Sequence, residues 1–345
     1  MGFASTAQGT LSPVGWAEIE GFARNLSEFC KLHVTPDHVL TAVMEAGEIR
    51  LHWHAGRAGV RLSAQNDEGL QNLRDTLGYL LEVASEGLAA GLSWQEGPSE
   101  GQPPPNFRQA RVLRSDRISP GFQRIRLAAD ALDFMARTGL HLRLLQPRDP
   151  AQPQWPRLAA NGRTVWPGAG QLHMPVYTIR AIDAAAGWLE VDIFLHGKGP
   201  TCAWARDARP GDVVGLTGPG GGWLPDGASL CLGGDETALP VLARILETLP
   251  ASVTGEVVIE LGDMADRQAL RAPPGINLHW LRRGRDLPLR RAFVETVGRM
   301  RGVSPGVGVV FGGEKSDAQT IRASLKEDAK GQGQTTVAAY WTASA

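Results

Sequence analysis

The 345-residue chain is poor in cysteine, with only Cys30, Cys202 and Cys231, widely spaced. It contains no CxxC, CxxCH or four-cysteine cluster. These absences argue against a disulfide framework, a thiolate iron–sulfur cluster and a c-type haem. Any redox chemistry must then use an organic cofactor. No stretch approaches the ~18 apolar residues of a membrane span, so none is expected. The first basic side chain is Arg24 and no long apolar segment surrounds it, so no secretory signal is predicted and a cytoplasmic location is expected. A net charge of −1 gives no global basic field, and no nucleic-acid partner is expected. GxSxG, HExxH and paired-carboxylate motifs are missing, which leaves a hydrolase without support.

Glycine (42) and proline (23) are plentiful, which suits a β-rich protein with many turns. Pro103 to Pro105 favour an extended linker and separate a small α+β module, residues 1–100, from the rest. Within it, residues 16–33 read as an amphipathic helix. The segments EIRLHWHAG and GVRLSAQ read as paired strands. Leu70, Leu73, Leu77, Leu80 and Leu81 form one face of a second helix capped by Asn66 or Asp67. His52 and His54 share a strand face, as a metal pair could, but no third ligand is evident.

Short strands broken by Gly, Pro and Asp predict an antiparallel β-barrel at 107–224, carrying a long loop-like insertion at 148–175. From 225 to 345 strands and helices alternate, which predicts a parallel sheet covered by helices. A barrel followed by such a sheet suits a flavin reductase, with flavin on the barrel and a nicotinamide nucleotide at the sheet's carboxyl edge.

Three segments carry candidate chemistry. In VYTIR, Tyr177 can stack on a flavin ring, Thr178 can hydrogen-bond it and Arg180 can pair with phosphate. Strand alternation puts Val176, Thr178 and Arg180 on one face. In FLHGKGPTCAWA, Gly197 and Gly199 would let backbone N–H groups approach a pyrophosphate beside Lys198, with a helical turn near Thr201. A plain turn explains that segment equally well. GGDETALP lies between a strand and a helix but is not GxGxxG. Asp235 and Glu236 are placed there to cap the helix.

The ordered strings YTIR, FLHGKGPTCAWA, PGD…GPGG, GDETALP, FGGE followed by Arg322, and a terminal YW resemble the siderophore-interacting protein family of FAD-dependent ferric-siderophore reductases. Residues 34–86 resemble, more faintly, a small domain of unknown function fused to such reductases. The resemblance implies a ferredoxin-reductase-like fold, multi-domain α/β plus β-barrel. It would comprise the N-terminal module, an antiparallel FAD-binding barrel and a C-terminal parallel-sheet NAD(P)H-binding domain. It implies that Tyr177, Thr178 and Arg180 hold the isoalloxazine and phosphate. Asp192, His196, Gly197, Thr201 and Trp204 would line the rest of FAD, and Asp235, Glu236, Thr237 and Ala238 the nicotinamide cleft. The family's Arg-x-Tyr-Thr-x-Arg pattern has Pro175 at its first position here, and the basic residue usual after the terminal YW is Thr342. Arg282, Arg283 and Lys315 are the basic residues that could meet an acidic ferric chelate.

The resulting expectation is transfer of electrons from NAD(P)H through FAD to a ferric siderophore, with no protein acid, base or iron site. A ferredoxin donor stays open. So do a flavin reductase or diaphorase with another acceptor, and a non-enzymatic siderophore- or haem-binding protein with a degenerate FAD site.

Overall fold

The computed structural model describes residues 3–27, 30–44, 46–97, 100–137, 139–197, 199–220, 227–304, 306–326 and 333–343. Lys198 and the glycines at 221 and 222 lie outside them. The chain forms two compact units. One comprises Met1–Gln109, Arg143–Met174 and Val214–Pro219; the other comprises Ala110–Leu142, Pro175–Val213 and Gly220–Ala345. No described helix is long and apolar enough to cross a membrane.

The first unit opens with β1 (Ser5–Leu11), α1 (Trp16–Ser27), β2 (Lys31–Val34), β3 (Val39–Met44), β4 (Gly47–His54), β5 (Arg57–Ala64), α2 (Asp67–Ala84) and β6 (Leu92–Trp94). The strands form an antiparallel sheet in the order β2-β3-β4-β5-β1-β6. Alternation sends Leu40, Ile49, Leu51, Val60 and Leu62 inward, where they pack with Phe22 and Leu26 of α1 and Leu73, Leu77 and Leu81 of α2. Asn66 caps α2 by accepting from the Gly69 N–H at 2.8 Å. The helix predicted over 16–33 ends at Ser27, and Lys31–Val34 joins the sheet instead. Leu32 reaches the same core from a strand, so tertiary pairing overrides the helical pattern there.

The insertion is built rather than irregular. It contains β10 (Arg157–Leu158), β11 (Thr164–Val165) and β12 (Leu172–His173), after β7 (Phe107–Ser119), β8 (Phe122–Ala128), α3 (Asp133–Arg137) and β9 (His141–Pro147). The β10–β11 pair docks on α2. Asp75 accepts from the Thr164 N–H at 3.1 Å and its hydroxyl at 2.9 Å, and Gln71 donates to the Gly162 carbonyl at 3.1 Å.

In the second unit, β7 and β8 pair antiparallel, followed by β15 (Trp188–Phe194) and β14 (Ala181–Asp183). The chain also passes through β13 (Val176–Thr178), α4 (Pro200–Asp207) and β16 (Val213–Gly220), of which Val214–Pro219 belongs to the first unit. Then come β17 (Ser229–Gly234), α5 (Leu239–Thr248), β18 (Thr254–Leu261), β19 (Gly275–Arg282), α6 (Leu289–Val303), β20 (Gly308–Glu314), α7 (Lys315–Lys326) and β21 (Thr335–Trp341). These strands form a parallel sheet, β19-β18-β17-β20-β21. Leu230 and Leu232 of β17 pack with α5, while Cys231 between them packs with Phe293 of α6 and Ile321 of α7. Helices therefore cover both faces, as the apolar strands require. The order runs outward from β17 to β19 and resumes at β20 on the other side of β17. This makes a topological switch point between β17 and β20, the usual ligand crevice of such sheets.

Candidate functional site

Strand β13 ends at Thr178 because the chain then changes partners. The Ile179 N–H donates to the Leu140 carbonyl and the Arg180 N–H to the Glu190 carbonyl. The predicted alternation fails accordingly: Val176 is exposed, whereas Thr178, Ile179 and Arg180 are all buried. Tyr177 is half-buried and its hydroxyl shares a hydrogen bond with Thr201; burial pushes it up to about 12. Arg180 gives both Nη groups to Glu247, at 2.8 and 2.7 Å. Its Nε, 3.8 Å from Asp192 Oδ2, makes no hydrogen bond. Asp192 is buried and accepts two bonds from Arg124, at 2.6 and 2.7 Å. Arg180 and Asp192 thus belong to one ion-paired cluster under the strand.

The next segment turns at Gly197 (φ 102°) and Gly199 (φ 131°), backbone conformations that L side chains rarely adopt. A side chain at Gly197 would meet open space. Helix α4 follows with Pro200 in its first turn and no side-chain cap at Gly199. His196 is exposed, Trp204 half-buried and Thr201 buried. Arg206 donates back to the Gly197 carbonyl at 2.9 Å.

At the switch point three glycines permit close backbone approach. A side chain at Gly234 would strike Ala238 and the Gly312 carbonyl, one at Gly312 would meet the Tyr340 ring at 2.9 Å, and one at Gly313 would meet Asp235 at 3.1 Å. Asp235 does not cap the helix. Its carboxylate accepts from the Thr237 N–H and hydroxyl at 2.8 and 2.5 Å, and from the Trp341 indole at 2.7 Å. This Asx turn delays α5 to Leu239, with Ala238 as an N-cap that provides no side-chain bond. Burial raises the Asp235 carboxyl, against its hydrogen bonds. Glu236 does not cap either. It accepts from the Gly262 N–H at 2.6 Å and from Arg283 at 3.0 and 2.5 Å. Arg283 also pairs with Glu260 at 2.8 Å, so this guanidinium is committed within the fold. Arg282 and Lys315 are exposed.

Two residues of this site were not singled out from the sequence. Glu247 holds Arg180, and His141 shares a 3.1 Å hydrogen bond with Tyr340. Burial, then Arg244, lowers His141 to about 4, so the ring stays neutral near neutrality. Neither residue lies in a local motif; each meets its partner through the tertiary fold. Among the described residues, no group of three or more His, Cys, Asp and Glu gathers to hold a metal ion.

Residues 111–223 match the siderophore-interacting FAD-binding domain and residues 228–344 the siderophore-interacting protein family. An NADPH-dependent ferric-chelate reductase of Escherichia coli is 35% identical over 182 residues, 51% of this chain and 71% of the relative. The chain belongs to the siderophore-interacting protein family. An uncharacterised protein of Mycobacterium tuberculosis is 42% identical over 110 residues, and the match spans 31% of this chain and 39% of that relative. Among solved structures, a siderophore utilization protein from T. fusca superposes with a TM-score of 0.58 at 29% identity, covering 72% of this chain and 97% of that one. Family membership makes FAD the group to test against the residues present. They fit it at two points: the open backbone at Gly197, shortly before a helix with no side-chain cap, suits a pyrophosphate, and the half-buried Tyr177 ring suits a flavin face.

Proposed function

We propose that this family member passes electrons from NADPH through FAD to a ferric siderophore in the cytoplasm. Iron then leaves as Fe(II), which the chelator holds far less tightly. The observation that carries this reading is the glycine-lined carboxyl edge at the β17–β20 switch point, with Asp235 and Trp341 joined across it. When bound, FAD supplies the change from two-electron to one-electron chemistry. One NADPH accounts for two ferric chelates reduced and one proton released.

Tyr177 and Thr178 would orient the isoalloxazine, and His196, Gly197 and Thr201, with Trp204, would hold the rest of the cofactor. Arg180 and Asp192 hold the strand beneath through Glu247 and Arg124. Asp235, Glu236, Thr237 and Ala238 shape the nicotinamide side. Arg282 and Lys315 meet an acidic chelate, whereas Arg283 secures Glu236. No side chain need move a proton during outer-sphere electron transfer.

The test is anaerobic turnover of the FAD-loaded chain with NADPH and a ferric siderophore, trapping Fe(II) with a chromogenic chelator. Two Fe(II) per NADPH supports the reading. Turnover only with free flavin or quinone would make the protein a flavin reductase. Siderophore binding without FAD uptake would make it a binding protein. Arg282→Gln should raise KM for an acidic chelate and spare a neutral one. Arg283→Gln should chiefly lower stability.

A further inference from the structure

The N-terminal sheet lies outside both matched family stretches, which begin at residue 111. One face packs on α1 and α2; the other faces solvent. Alternation places Lys31, His33, Arg50, His52, His54, Arg57 and Arg61 on that outer face, all exposed. Glu48 is the only acid at the outward positions of these strands. The chain as a whole carries −1, so this face opposes the protein's overall sign.

The register sharpens the pattern. Arg50 stands directly opposite Arg61, His52 opposite Gly59 and His54 opposite Arg57. On the other side of β5, Thr10 stands opposite Gly59 and Gln8 opposite Arg61. Like charges facing across a strand pair destabilise a sheet. Arg50 and Arg61 have no ion pair among the described residues. Gly59 needs no unusual backbone conformation, and a side chain there would find only the His52 carbonyl, at 3.9 Å. The glycine therefore leaves an open notch framed by His52, Arg57, Arg61 and Thr10. A glycine inside a strand often marks close approach of another group.

We propose that this face binds a small ligand carrying two or more phosphate or carboxylate groups, seated over Gly59 and clamped by Arg50 and Arg61. Guanidinium forks bind either oxyanion in a bidentate way. Successive outward rows lie about 7 Å apart along a strand, so the Arg50–Arg61 row and the His54–Arg57 row flank Gly59 from opposite sides. One charged group can then meet the arginine pair, and another can meet Arg57 reaching back over the glycine. Trp53 points inward and donates its N–H to the Val14 carbonyl, and Trp94 packs against the core. The outward positions thus carry no Trp, Tyr or Phe platform for bases, which disfavours a single-stranded nucleic acid. A bound polyanion would also relieve the Arg50–Arg61 repulsion.

The test is calorimetric titration of the full chain with tripolyphosphate and with citrate, which separate the two anion sources. Saturable binding of either supports the proposal and identifies the source. Gly59→Val fills the notch without changing charge and should weaken binding roughly tenfold. Arg50→Gln or Arg61→Gln should weaken it by at least about as much while leaving Tm unchanged or higher. Three results would overturn the proposal: no saturable binding of either probe, unchanged affinity in Gly59→Val, or tighter binding of a mixed-sequence DNA oligonucleotide than of both probes.

Discussion

Trp341 donates its indole N–H to the buried Asp235 carboxylate at 2.7 Å, tying the end of the last strand to the loop after the first strand of the parallel sheet. The two residues are 106 positions apart. The bond fixes a half-exposed aromatic ring at the switch point, where the proposed nicotinamide site lies.

Asp235→Ala leaves the Thr237 and Trp341 donors without their acceptor and should cost about 1–3 kcal/mol. Asp235→Asn keeps an acceptor but removes the titration. Because burial raises the folded-state pKa above the unfolded value near 4, the group's contribution is full below that value and declines as pH rises through the raised one. Wild type should lose stability relative to Asp235→Asn across that window. Urea unfolding at a series of pH values measures the difference.

His141 has the opposite sign. Its folded pKa of about 4 lies below the ordinary 6.5, so the unfolded chain takes up the proton first. Its contribution is present above about 6.5 and is lost as pH falls toward about 4. The advantage of wild type over His141→Gln should shrink over that interval in thermal melts.

Glu247→Gln should lower stability by about 1–3 kcal/mol, since it removes the anion facing both Nη groups of Arg180 on a partly buried pair. FAD affinity should change little if Arg180 serves mainly to hold the strand. Equilibrium unfolding together with FAD titration separates these effects.

Pro175→Arg restores the cation usual at that place in the family pattern. If the side chain reaches the cofactor phosphate, the added charge-assisted bond is worth on the order of 1.5–3 kcal/mol. FAD dissociation should then slow by roughly ten- to a hundredfold, as read by flavin fluorescence after dilution.

Much of the fold could be read in the sequence because it depends on local periodicity. Leucines at helical spacing located α2, and alternation located β4 and β5, whose register the structure supplies. The βαβ sequence located the parallel sheet. Helix α6 was harder to see: only Leu289, Phe293, Thr296 and Val297 are buried in an arginine-rich segment. Strand β1, STAQGTL, offers little hydrophobic contrast.

The sequence by itself determined which organic-cofactor chemistry to consider, through its lack of clustered cysteine and its ordered family motifs. Tertiary structure decided how individual charges are used. Arg180 faces Glu247 across 67 residues and Arg283 faces Glu236 across 47, so neither guanidinium is simply a free anion site. Asp235 and Glu236 look like helix caps in sequence, yet bind Trp341 and Arg283 in the fold. The physical reason is that periodicity encodes which face a residue occupies. The partner that neutralises a buried charge is set by chain segments brought together only after folding.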